Sequence, residues 1–311
     1  MMKIYLTPYE KRKVSLVKAL LPFLIILHHC YWLKGLAIFL NFGIILVSFF
    51  FLMSGYGLMA SYENGGGTYL RSFLSKRILK VVIPYILSLT IWMVYVGLTS
   101  ENLNWRCYFS TTNIGDWLPN SWFVWVIIIA YFLYWVVFRT DYSLRSKLIL
   151  MAIISLIYYS IGKVLGIPPY WYRSSYCIVL GMLWRYWEVE ILKKLDTIFI
   201  YFTLPIICAV FFGVCQIMHL KDITPLFVCV VFSWLMYSLR YTRINKIVGF
   251  LSKISYEIYL LQCIAIKMVC DFTTSTVIAV PLIFILDIIL SYLVFTLSSK
   301  IHTSICSVKC K

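Results

Sequence analysis

Long apolar segments separated by short polar ones run through the whole chain. Most of the apolar segments are long enough to cross about 30 Å of hydrocarbon as a helix. A helix also satisfies its own backbone hydrogen bonds, as lipid requires. The pattern therefore predicts an all-α, polytopic membrane bundle of about ten transmembrane helices, at residues 16–33, 36–60, 78–99, 121–138, 148–162, 174–187, 198–217, 223–239, 247–269 and 275–298.

The polar connections are too short to form a separate soluble domain, so residues 1–311 are predicted to be one integral membrane domain. The two longest connections are 61–77 and 100–120. The first contains a Gly triplet but lacks the Gly-Lys-Ser/Thr of a phosphate loop, and we interpret it as a linker. Composition agrees with a membrane protein, since 62% of the residues are hydrophobic and the mean hydropathy is +0.89.

The formal charge of +16 is explained by the placement of the 28 Lys and Arg residues. If the N-terminus is cytoplasmic, all of them fall in inner segments except Lys34, Arg106, Lys163, Arg173, Lys221 and Lys267. The positive-inside rule then predicts that both termini are cytoplasmic. No nucleic-acid partner is needed, and membrane lipid is the expected surrounding, in the cytoplasmic membrane of a bacterium.

Candidate chemistry lies in the first apolar segment, VKALLPFLIILHHC at residues 17–30. Lys18 and His29 are eleven residues apart, so on a helix they share a face and lie about 16 Å apart along the axis. The spacing predicts a cation at the cytoplasmic mouth and an imidazole near the middle of the membrane. His28 is turned about 100° away from His29. An imidazole at this depth is a functional candidate, and a neutral ring can act as a general base.

Structural alternatives remain open for each of these residues. The histidines could bond to backbone carbonyls or to another helix, and Lys18 could simply extend to the membrane surface. No set of residues has metal-ligand spacing, so no metal is expected. The ten cysteines receive no role, because most lie inside apolar segments.

Several motifs, in order along most of the chain, resemble those of the acyltransferase 3 family of membrane acyltransferases. They are Lys18 with ten residues before His29, SFFFLMSGYGL at 48–58, SKRILKVVIPY at 75–85, SWFVWVIIIAY at 121–131 and ISYEIYLLQ at 254–262. The resemblance implies about ten helices and transfer of an acyl group, commonly acetyl, from cytoplasmic acyl-coenzyme A. The implied acceptor is a hydroxyl of a cell-surface or lipid-linked polysaccharide.

The resemblance also assigns residues. His29 matches the catalytic histidine, and Lys18, Arg77 and Lys80 match basic positions that would hold coenzyme A. Ser54 and Gly55 match the Ser-Gly pair of the second span, which would approach the thioester. Tyr256 and Tyr259, in the C-terminal motif, are candidate substrate-binding residues together with Trp122, which opens the fourth predicted span.

Other interpretations of these residues stay open. Arg77 and Lys80 share a helical face that could hold a diphosphate, but they could equally be topology markers. Ser54 and Gly55 could form a small-residue contact between helices. Trp122 could belong to an aromatic belt at the membrane interface.

The sequence departs from the family pattern at three positions. Lys stands for Arg at 18 and 80, which keeps the charge but loses the planar fork that grips phosphate. Gln262 stands where many relatives have a second histidine. These changes keep open the hypothesis of a catalytically silent membrane scaffold. A second rival hypothesis is a transporter for a lipid-linked sugar, with His29 lining the path. The oligomeric state is not predicted.

Overall fold

The computed structural model describes residues 8–36, 42–100, 108–109, 116–194, 203–217, 222–238 and 246–308. These residues form α-helices without any β-strand, which confirms the all-α class. A short 3₁₀ turn, Pro169–Trp171, lies between the fifth and sixth helices. The helices of the described ranges are α1 Pro8–His29, α2 Gly43–Arg71, α3 Phe73–Thr99, α4 Trp122–Phe138, α5 Leu144–Val164, α6 Cys177–Lys194, α7 Leu204–Ile217, α8 Thr224–Ser238, α9 Lys246–Lys253, α10 Ser255–Cys270 and α11 Thr276–Val308.

Four of these helices, α2, α3, α5 and α11, are long and apolar enough to cross a membrane. The pair α9 and α10 would make a fifth span, broken by a bend of 71°. The sequence predicted one span over 247–269, and the structure divides this segment into two helices. Near the break, the Ser255 hydroxyl donates to the Ser252 carbonyl at 3.1 Å, a local bond that competes with regular helix. The total of ten spans and the sidedness of the termini stay predictions.

Helices α2 and α6 pack closely because glycine lies at their crossing. A Cβ atom placed on Gly55 would come within 1.7 Å of the Ile178 carbonyl oxygen of α6. Reciprocally, a Cβ on Gly181 would come within 2.0 Å of the Leu52 carbonyl oxygen of α2. Small residues let two helix backbones approach in this way, so the crossing fixes α6 against the centre of the bundle.

A buried ionic network joins the same two helices further along. The Arg185 side chain is 2% exposed and donates from Nε to Glu63 Oε2 at 2.9 Å and from a terminal nitrogen to Glu188 Oε2 at 3.1 Å. Tyr56 also donates to Glu188 Oε2, at 2.9 Å. Both carboxylates therefore have a partner, as buried charges require.

The two ends of the bundle differ in charge. Arg77 at the start of α3 donates to the Ser61 hydroxyl in the second half of α2 at 3.3 Å, and Arg185 near the end of α6 pairs with Glu63. We call this end, which also holds the end of α4 and the start of α5, the basic end. The opposite end holds the last residues of α1 and the first residues of α2 and α4.

Candidate active site

A cavity of about 480 Å³ lies at the end opposite the basic end, where α1 stops. We call it the His cavity. Its walls combine aliphatic, aromatic and hydrogen-bonding side chains, as ligand sites commonly do. They are formed by Ile25, His28, His29, Gly43, Ile44, Val47, Asp116, Asn120, Trp122, Pro169, Tyr170, Arg173, Ser174 and Tyr259.

His28 and His29 both line this cavity, with ring centroids 4.9 Å apart. Among the described residues, the His29 side chain has no hydrogen-bond partner, so the structural alternative of a bond to another helix finds no support there. His29 is the last residue of α1. Its predicted position near the middle of the membrane stays a prediction. The predicted span over 16–33 was four residues too long at this end, because the chain turns after His29.

The backbone of Gly43 is the surface on which His28 packs. A Cβ atom on Gly43 would come within 2.3 Å of His28 Nε2. Since Gly43 is the first residue of α2, this contact ties the end of α1 to the start of α2. His28 is therefore part of the site, although the sequence placed it on another face.

Asn120 connects the start of α4 to α10. Its backbone has a φ of 62°, in the left-handed region that Asn tolerates better than most residues. The Tyr259 hydroxyl donates to its carbonyl at 2.9 Å, and its side-chain amide lies 3.0 Å from Cys263 Sγ. The Tyr259 ring also contacts Phe50 and Phe123, so the predicted substrate residue Tyr259 is held rigidly in the wall.

Arg173 reaches the cavity from the connection between α5 and α6. Its Nε donates to Asp222 Oδ1 at 2.6 Å, and Lys163 lies 3.5 Å from the other carboxylate oxygen. Burial alone would raise the pKa of the Asp222 carboxyl, but the hydrogen bond and charge of Arg173 lower it below its ordinary value. Asp222 thus holds the guanidinium in place while Arg173 still faces the cavity.

The remaining wall is aromatic and acidic. The rings of Trp122 and Tyr170 lie 5.5 Å apart at an interplanar angle of 52°. Asp116 lies in the same wall, and burial raises the pKa of its carboxyl. Aromatic faces beside carboxylate, amide and guanidinium groups are suited to a polar ring with several hydroxyls.

A second cavity, also about 480 Å³, lies at the basic end, and we call it the basic cavity. It contains two of the residues predicted to hold coenzyme A, Arg77 and Lys80. Lys18 on α1 is close enough to Arg77 for an electrostatic interaction. The structure therefore brings Lys18, Arg77 and Lys80 to one region. The lining residues are Gly65, Thr68, Tyr69, Ser72, Phe73, Lys76, Arg77 and Lys80.

Buried side chains occupy the space between the two cavities. Tyr131 of α4 interacts electrostatically with Arg77 and lies beside Ser54. Tyr256 of α10 lies near both Tyr131 and Tyr259, and its hydroxyl donates to the Val81 carbonyl at 3.0 Å. A series of polar side chains thus extends from the basic cavity to Tyr259 in the wall of the His cavity.

Two of the predicted site residues have other surroundings. Gly55 faces the backbone of α6, which gives it the helix-contact role that the sequence left open. Tyr256 lies on the route between the cavities but is not part of the His cavity wall. Gln262 is fully buried in α10 and is also absent from that wall.

Sequence reasoning missed Asp116, Asn120, Tyr170 and Arg173. They lie in connections that contain Trp, Tyr and charged residues, and this composition was the one available signal. In the part of the chain that the structure describes, no three His, Cys, Asp or Glu side chains lie together as metal ligands would.

Comparison with known proteins decides the family. The model of the acyltransferase 3 family, an acyltransferase domain, matches residues 12–297. The chain belongs to this family. This membrane acyltransferase gave no match in the comparisons with curated proteins and with solved structures. The match covers both cavities, so both belong to the acyltransferase domain.

Proposed function

We propose that this acyltransferase takes an acyl group, with acetyl as the first candidate, from acyl-coenzyme A bound at the basic end. It transfers the group to a hydroxyl of a surface or lipid-linked carbohydrate bound in the His cavity. The main support is that His29 lines a cavity at the end of α1, while Lys18, eleven residues earlier on the same helix, interacts electrostatically with Arg77 of the basic cavity.

The donor site is assigned by charge. The phosphates of coenzyme A would bind the cations of the basic cavity, where Arg77 offers a planar fork and Lys80 a point charge. The pantetheine arm would then pass Tyr131 and Tyr256 towards His29. The rise of about 16 Å between Lys18 and His29 suits an extended arm of this kind.

The reaction requires a base near the acceptor hydroxyl. In our proposal His29 removes the hydroxyl proton as the oxygen attacks the thioester carbonyl, and the thiolate of coenzyme A leaves. A route through an acylated histidine would use the same imidazole. Trp122, Tyr170 and Arg173 would hold the sugar. His28 would position the imidazole of His29.

His29→Ala should abolish acylation of the surface polysaccharide, a loss of about 10²-fold or more, because the base is removed. Acyl groups on the polysaccharide and the amount of polysaccharide exported are measured together in cells. His28→Ala should lower acylation less, by roughly tenfold, since that ring only positions His29. His302→Ala, on α11 and outside the cavity wall, is the matched control.

Unchanged export with lost acylation supports the transferase. Reduced export in His29→Ala would favour the transporter hypothesis, and no change in either quantity would favour a scaffold. If His28→Ala abolishes acylation and His29→Ala does not, the role of base passes to His28.

The donor assignment predicts a separate effect. Arg77→Gln should raise the KM for acyl-coenzyme A by roughly tenfold, because a charge-assisted phosphate contact is lost. Transfer by purified protein is measured against donor concentration. Arg145→Gln removes a charge at the start of α5, outside the basic cavity, and should leave this KM unchanged. Equal effects of both variants would contradict the assignment.

A further inference from the structure

A third cavity, of about 450 Å³, lies at the basic end between the ends of α2 and α4 and the start of α5. We call it the Lys147 cavity. Residues 65–73 separate it from the basic cavity, and the two cavities share no lining residue. Its volume is within the range of about 300–1,000 Å³ that ligand sites have. The walls are formed by Tyr62, Gly67, Leu70, Arg71, Trp135, Phe138, Arg139, Thr140, Asp141 and Lys147.

Lys147 is a buried cation in this wall, only 5% exposed. Its ammonium donates to the Tyr62 hydroxyl at 3.0 Å and to the Phe138 carbonyl at 3.1 Å. Both acceptors are neutral, and among the described residues no carboxylate pairs with it. An ammonium has three donors, so one remains for a ligand. A buried charge without a counter-ion is costly, and an anion in the cavity would remove that cost.

The rest of the wall also favours an anion. The Arg139 guanidinium stacks on the Trp135 ring, 4.6 Å from its centroid, and Trp135 Nε1 donates to the Leu70 carbonyl at 3.2 Å. These contacts fix the guanidinium at the mouth. Arg71 adds a third cation, against the single carboxylate of Asp141. Arginine forks and an ammonium together suit a phosphate group.

A shallow apolar groove lies between α4, α5 and α6, and α4 and α5 also line the Lys147 cavity. The groove includes Leu133, one turn before Phe138, and Met151, one turn after Lys147. It continues along Ile129, Ala130 and Ile154. The groove has only about 30 Å³ of free volume, too little to enclose an acyl chain. The chains of a bound lipid would therefore stay in the surrounding bilayer, against the exposed apolar side chains of α4 and α5. A soluble phosphate compound would lack this apolar contact.

We propose that the Lys147 cavity binds the head-group phosphate of an anionic glycerophospholipid, whose acyl chains lie in the bilayer along α4 and α5. Lys147 and Arg139 hold the phosphate, and Arg71 closes the mouth. Basic pockets between transmembrane helices bind anionic lipids through the same chemistry. The site is independent of the acyl donor and acceptor proposed above.

The test measures retained lipid by native mass spectrometry of the purified full-length chain. Phosphatidylglycerol and phosphatidylcholine with identical acyl chains are titrated in turn. The wild type should retain phosphatidylglycerol at about tenfold lower concentration, because the site carries excess positive charge. The double variant Arg71→Gln, Arg139→Gln should lose this preference, while the control Arg145→Gln, two residues from Lys147 but outside the cavity, should keep it.

Soluble competitors distinguish a lipid head group from a free phosphate compound. Adenosine 3′,5′-bisphosphate and inorganic phosphate are added as competitors. Equal retention of the two lipids, equal loss in Arg145→Gln, or displacement of phosphatidylglycerol by either soluble phosphate overturns the proposal. Thermal unfolding of each variant verifies that it is folded.

Discussion

Arg173 and Asp222 bring two connections of the chain to the His cavity. Arg173 precedes α6 and Asp222 precedes α8, and their hydrogen bond of 2.6 Å directs the guanidinium to the wall. Tyr176 reinforces the link by donating to the Asp222 carbonyl at 2.9 Å. The carboxylate touches Arg173 and not the cavity, so we regard it as a positioning residue.

Asp222→Asn should raise the KM for the acceptor by roughly tenfold and change kcat little, since Arg173 loses its charged anchor. Transfer is measured against acceptor concentration. Asp271→Asn breaks another ion pair, with Lys267 and outside the cavity, and should leave the acceptor KM unchanged. A fall in kcat with unchanged KM would contradict this role.

The lowered pKa of Asp222 also predicts how the acceptor KM depends on pH in the wild type and in Asp222→Asn. A lowered carboxyl pKa means that the ion pair is complete above the ordinary value of 3.8 and is lost as the pH falls through the lower folded value. The wild-type KM should therefore be flat between about pH 5 and pH 8 and rise only below that range. In Asp222→Asn this rise should be absent.

Single residues were predictable where spacing along one helix decides their position. Lys18 and His29 are of this kind. The basic pattern at the start of the third predicted span added Arg77 and Lys80 to the predicted site. His28 was placed on the wrong side because the helix ends at His29 and both rings turn to one cavity. Arg173 was not predictable, because a partner 49 residues away sets its position.

Among the helices, the crossing of α2 and α6 depends most directly on sequence. Gly55 and Gly57 are two residues apart on α2, yet a Cβ on Gly55 meets the α6 backbone while a Cβ on Gly57 meets no atom within 4 Å. The same glycine-rich segment therefore contains one position that sets the packing and one that does not.

Gly55→Ala should destabilise the protein by about 1–3 kcal/mol, because the two backbones must move apart. Gly57→Ala should have no such effect or a stabilising one, since alanine favours helix over glycine. Thermal unfolding of the purified protein compares the two variants with the wild type. Equal midpoints for Gly55→Ala and Gly57→Ala would show that the crossing tolerates a side chain.

Hydropathy located the helical segments well but not their interruptions. The 71° break between α9 and α10 falls in SKISYE, residues 252–257, a polar interruption that mean hydropathy over the whole segment does not register. The early end of α1 is followed by CYWLKG, residues 30–35, in which Gly35 adopts a φ of 86°. Such features depend on backbone conformation and packing, which periodicity does not record.

At the scale of the whole molecule, the unequal charge of the two ends predicts the orientation. The residues at the basic end should face the cytoplasm, where Lys and Arg accumulate. A green fluorescent protein fused to the C-terminus should therefore fluoresce, and alkaline phosphatase at the same position should be inactive. Alkaline phosphatase fused after Gly35, just beyond the end of α1, should be active. The reverse pattern would invert the proposed donor and acceptor sides.

The distance between the two cavities also determines how the reaction can be blocked. In the orientation predicted above, a sugar mimic that cannot enter the cell would still reach Trp122 and Arg173 from outside. A mimic of the nucleotide donor would first have to cross the lipid. In that orientation, inhibitors aimed at the outer site would not have to cross the membrane that contains the protein.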